Sequence, residues 1–82
     1  MREISKFTDP EDGAEFVLFE RETGKNDWRD FKIVATGNGL PKHNWWLSHS
    51  ATEGRFAKSR DLALLAEHRP AAYEWFLSEV CQ

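Results

Sequence analysis

The sequence predicts an α+β domain, a small three-stranded antiparallel meander followed by two C-terminal helices packed on one face. Three observations predict it. Residues 15–50 hold short runs with strand alternation or aromatic-rich blocks, the last third switches to helical spacing, and the connections are too short for parallel crossovers. At 82 residues the chain makes one domain. Its expected parts are an N-terminal arm and turn (1–13), the strands (14–50) and the helical part (51–82).

Thr8-Asp9-Pro10-Glu11-Asp12-Gly13 gathers a turn-starting Asp, a Pro and a Gly. It reads as a turn, or as a single helical turn with Asp9 as N-cap and Pro10 at the first position. Glu15–Glu22 is apolar on both alternating faces and predicts a strand covered on both sides. Thr23–Asp27, polar with a Gly, predicts a hairpin loop. Trp28–Thr36 sets Phe31, Ile33 and Ala35 against Asp30, Lys32, Val34 and Thr36, the pattern of a half-buried strand. Gly37-Asn38-Gly39-Leu40-Pro41 breaks it. His43–Ser50 then predicts a third strand, with His43, Trp45, Leu47 and His49 on one face and Asn44, Trp46, Ser48 and Ser50 on the other.

Ser59 is a suitable N-cap for a helix over residues 60–68, and Asp61 lies in its first turn, where the dipole favours an anion. Pro70 ends that helix and opens a second one, residues 71–80, with Ala72, Tyr73, Phe76, Leu77 and Val80 as its apolar stripe. A competing reading starts from Ser50-Ala51-Thr52-Glu53, a capping box that predicts one longer helix over residues 51–68. Gly54 opposes it by about 1 kcal/mol relative to Ala. Whether residues 51–58 are strand, loop or helix stays open at this level.

Apolar residues make up 40 % of the chain, an ordinary globular share, and six Phe, four Trp and one Tyr supply bulk that a short chain can build a core from. The single cysteine, Cys81, excludes an internal disulfide or a cysteine-based zinc framework. It reads as a thiol without function. The longest apolar runs, Phe16–Phe19 and Leu62–Ala66, fall far short of the ~20 residues of a membrane span. The first six residues contain no apolar h-region, so no secretory leader and a cytoplasmic location are expected.

Charge is segregated along the chain. Residues 1–39 hold six Lys/Arg against nine Asp/Glu, and residues 61–82 hold Arg69 against Asp61, Glu67, Glu74 and Glu79. The middle, residues 40–60, reverses the sign, with Lys42, Arg55, Lys58 and Arg60 against Glu53 alone. It also carries Trp45, Trp46 and Phe56. Cations with interleaved rings suit single-stranded nucleic acid, but a pI near 5.5 is opposite to that of a dedicated nucleic-acid domain. Adjacent strand tryptophans point to opposite faces, so two helices on one face can bury only one of Trp45 and Trp46. The other is covered by the N-terminal segment or exposed as an anchor, and Trp and Arg are the residues enriched at binding hot spots. The alternation does not say which.

Catalytic patterns are missing. No HExxH, CxxC, GxSxG, Walker A or GxGxxG occurs. His43 and His49 are six residues apart on one strand face, roughly 20 Å at 3.3 Å per residue, too far to share a metal. The carboxylates Glu11, Asp12, Glu15, Glu20 and Glu22 cluster around the first strand. They read as a solvated face that keeps an edge from pairing, or as an acidic strand that steers a charged partner.

The expected function is therefore a non-enzymatic protein-binding module, an inhibitor or adaptor, docking through an aromatic and basic surface in residues 40–60. The expected contact residues are Trp28, Lys42, Trp45, Trp46, Arg55, Lys58 and Arg60, with no cofactor, no metal and no membrane. In composition and size the chain resembles small accessory proteins of bacteria and phages. A nucleic-acid-binding protein using the same segment is the alternative, and a small ribonuclease-type hydrolase using His43, His49 and His68 is a third. An exposed sheet edge also offers a route to a homodimer.

Overall fold

A computed structural model describes residues 1–21, 27–36 and 43–81. The expected loops at Thr23–Asp27 and Gly37–Pro41, together with Glu22, Lys42 and the side chain of His43, lie outside the described residues, apart from Asp27. The chain is α+β with an antiparallel sheet and two helices, but the sheet has five strands where the sequence predicts three. They are β1 (Arg2–Thr8), β2 (Glu15–Arg21), β3 (Trp28–Thr36), β4 (His43–Ser50) and β5 (Arg55–Phe56), in the order β1-β2-β3-β4-β5. Helices α1 (Arg60–His68) and α2 (Pro70–Val80) follow.

The two extra strands have physical reasons for escaping a reading by alternation. In β1, expected as an arm, the pairing with β2 slips between Glu3 and Ser5. An inserted residue breaks the period of two, so Ile4 and Phe7 no longer fall where alternation looks for them. The other, β5, has only two residues, paired with His49 and Ser50. Before it, the capping-box reading is half fulfilled, since the Ser50 hydroxyl accepts the Glu53 N–H at 3.0 Å. Gly54 then takes φ +65°, which turns the chain back as a hairpin and ends the helical option there.

The Asp9 turn forms as a turn. Asp9 Oδ1 accepts the Glu11 N–H at 2.9 Å, and Gly13 closes the turn with φ 75°. Arg69, between the helices, reaches it with Nη1 2.6 Å from Asp12 and 3.8 Å from Asp9. Ser59 caps α1 as expected, accepting the Asp61 and Leu62 N–H groups from an extended backbone. Pro70 opens α2, one residue before the expected start.

Both helices lie on one face of the sheet. The core there joins Phe16 and Leu18 of β2, Phe31, Ile33 and Ala35 of β3, and Trp45 and Leu47 of β4 to Leu65, Ala72, Phe76 and Val80 of the helices. From α2, Phe76 meets Phe31 edge-on at 5.7 Å and Phe56 at 5.5 Å, while Trp75 stacks on Phe7 of β1 at 5.3 Å. The strand over residues 15–22, expected to be covered on both sides, is covered by helices on one side only. No helix among the described residues is long and apolar enough to cross a membrane.

Candidate functional site

The face away from the helices has no layer over it among the described residues, and the pairing register lays it out in rows. Lys6, Val17, Val34 and Asn44 align across four strands, and Glu3, Phe19, Lys32 and Trp46 form the next row. Arg21, Asp30 and Ser48 follow, and Trp28, Ser50 and Arg55 close that end. Val17, Phe19, Val34 and Thr36 are half-buried around a shallow depression that Met1 and Lys32 also line.

Trp46 is the most exposed ring of this face, at 45 %, where its neighbour Trp45 is at 6 %. Lys32 Nζ stands 5.1 Å from the Trp46 ring centroid, and the Arg21 guanidinium stands 6.0 Å away. Such cation–ring contacts contribute about 0.5–1 kcal/mol each at exposed sites. Asp30 sets Arg21 in place, because Oδ2 accepts from Arg21 at 3.1 Å and Oδ1 accepts from the Ser48 hydroxyl at 2.6 Å. The Trp46 backbone is also held. Its N–H donates to Asp61 Oδ2 at 2.8 Å, and its carbonyl accepts from the Ser59 hydroxyl at 3.4 Å. Side chains at the start of α1 thus close the edge of β4 that β5 is too short to cover. Between that edge and residues 57–59 runs a groove of about 250 Å³, lined by Arg21, Trp46, Ser48 and Lys58 among others. That is below the roughly 300–1,000 Å³ of small-molecule pockets, yet ample for one side chain.

The predicted contact residues divide. Trp46 and Lys58 come together at the groove. Trp28 and Arg55 form a second stack on the same face, 5.2 Å apart, with Arg55 also paired to Glu53 at 2.9 Å. Trp28 lies four residues along β3 from Lys32, so this stack is about 13 Å from the Trp46 row. Arg60 is exposed as the first residue of α1, and Lys42 is outside the described residues. Trp45 is a correction. It points under the helices, 6.0 Å from the Phe16 ring, and belongs to the core. Three residues of the face were not expected as contacts: Arg21, Lys32 and Phe19. They lie outside the basic segment, and only cross-strand register brings them to Trp46.

The covered face ends in a polar group. Glu20, expected on a solvated face, is 12 % exposed and accepts from Arg29 through both guanidinium arms, and from Arg2 at 2.8 Å. The Arg29 hydrogen bond holds its carboxyl below the usual range. The strand it sits on is internal, because β1 forms the edge. His49 is 7 % exposed, and its ring lies 4.6 Å from that of Phe56. Burial, and after it the Arg29 charge, lower its pKa. Cys81, expected as a thiol without function, has its Sγ 4.0 Å from His49 Nε2. His68 ends α1, exposed and well placed for the dipole. Among the described residues no three His, Cys, Asp or Glu stand close enough to hold a metal ion.

In searches with this chain, no family model matches, and neither a curated protein nor a solved structure is found similar to it.

Proposed function

We propose that the protein is a non-enzymatic docking module that binds a partner protein through the open face of its sheet, with Trp46 as the anchor. The observation that carries this reading is Trp46 itself. A large ring is left 45 % exposed while Asp61 and Ser59 hold its backbone N–H and carbonyl and Lys32 and Arg21 lie against the ring. A pinned, exposed Trp loses little conformational freedom on binding, which is what makes such residues anchors. The groove beside it, and the apolar depression of Val17, Phe19 and Val34, give a partner's side chains somewhere to go.

Nucleic acid takes second place, for two reasons on this face. Arg21 and Arg55 are already paired with carboxylates, and the rings of Trp46 and Trp28 already carry cations where a base would stack. The test compares capture of proteins from a source-cell lysate by the parent and by Trp46→Ala. A protein retained by the parent and lost by the folded variant supports the reading; equal retention by both removes this face from it.

A further inference from the structure

The charges around Trp46 indicate what kind of protein surface the face takes. Four cations lie near the groove or at the start of α1: Arg21, Lys32, Lys58 and Arg60. Of these, only Arg21 has a carboxylate within ion-pair reach among the described residues, namely Asp30. The other carboxylate here, Asp61, accepts the Trp46 N–H in the first turn of α1, where the helix dipole offsets its charge. Glu3, in the same cross-strand row, lies at the β1 edge and pairs with Lys6 at 4.0 Å. Glu15 lies at the far end of β2.

Among the described residues Lys32, Lys58 and Arg60 therefore have no carboxylate within ion-pair reach, in a chain whose formal net charge is −3. Arg60 adds a further reason, since it occupies the first position of α1, where the helix dipole disfavours a cation. An incoming anion relieves that arrangement. Lys32 also borders the depression of Val17, Phe19 and Val34, so an apolar group and a negative group can be bound side by side.

We infer that the partner segment is acidic: it seats an apolar side chain in the Val17, Phe19 and Val34 depression and sets Asp or Glu carboxylates against Lys32 and Lys58 beside Trp46. This rests on the protein-docking reading above and adds the chemistry of the partner. Complementary charge at such a rim governs encounter and selects against basic partners more than it adds affinity.

The experiment uses the full chain and three labelled probes followed by fluorescence anisotropy at low and physiological salt: a short Asp/Glu-rich peptide carrying one Phe, the same peptide with Asn and Gln in place of the acids, and a single-stranded oligonucleotide. The acidic peptide is expected to bind and the amide peptide to bind far more weakly. Lys32→Gln and Lys58→Gln are each expected to weaken the acidic peptide about two- to fivefold, the range of exposed ion pairs. Circular dichroism of both variants confirms that they are folded. Equal binding of the acidic and amide peptides, no binding of the acidic peptide even at low salt, or an oligonucleotide that displaces it at matched charge overturns the inference. The docking reading fails separately, when Trp46→Ala leaves capture from lysate unchanged. A lysate partner that needs Trp46 but ignores both lysine substitutions leaves docking in place and rejects the acidic chemistry.

Discussion

The two faces of the sheet are built from alternate residues of the same strands and meet opposite fates. Trp45 and Trp46 are neighbours in β4, yet the first is buried at 6 % among core rings and the second stands at 45 % among cations. On the helix side, rings meet rings and apolar chains, and burial is the gain. On the open side, rings meet Arg21, Lys32 and Arg55, and the aliphatic stems cover surface that the helices do not. Bulk apolar burial decides stability on one face. Fixed, half-wet aromatics mark the other face, and the proposed docking rests on them.

Four predictions test this contrast, beginning with the largest. Trp45→Ala opens a cavity under the helices and should cost about 3–5 kcal/mol, read as a lowered midpoint in urea unfolding. A loss below about 1 kcal/mol would erase the difference between the faces, since a surface ring costs no more than that. Next, Arg29→Met removes both guanidinium bonds from Glu20, whose side chain is 12 % exposed. Because Arg29 is itself partly exposed, the expected loss is about 1 kcal/mol, and Glu20→Gln in the same chain should restore part of it.

The third concerns pH. His49 has a folded-state pKa below its ordinary 6.5, from burial and then from Arg29. As pH falls below about 6.5 the unfolded chain takes up the proton first, so stability present above that pH declines on acidification. Glu20, Asp12 and Asp27, all lowered, add a second decline as pH falls below their ordinary 4.5 and 3.8. Thermal melts from pH 7.5 to pH 5 should show the first slope in the parent and a flatter one in His49→Gln. An unchanged slope would mean that His49 is not sensed by the fold. The smallest expected effect is on the open face. Trp46→Ala removes the Lys32 and Arg21 contacts at an exposed site and should cost no more than about 1 kcal/mol.

The parts of the fold carried by regular period were legible in the sequence. The strands over 28–36 and 43–50 and the helix over 60–68 appear where alternation, helical spacing and the Ser59 cap put them. What was not legible depends on contacts distant in sequence. The β1 strand is masked by its bulge, β5 is a two-residue consequence of the Gly54 turn, and the choice between Trp45 and Trp46 is made by which face the helices cover. The candidate site was legible only as Trp46 with the basic segment. Arg21, Lys32 and Phe19 join it through pairing register, which no local pattern around Trp46 contains.

The most direct test sets Trp45→Ala beside Trp46→Ala, measuring for each the unfolding midpoint and the retention of a lysate protein that the parent captures. The account predicts that Trp46→Ala unfolds within about 1 kcal/mol of the parent and no longer retains that protein, while Trp45→Ala is strongly destabilised. A Trp46→Ala protein that retains the partner as the parent does, or one that loses stability as Trp45→Ala does, would contradict it.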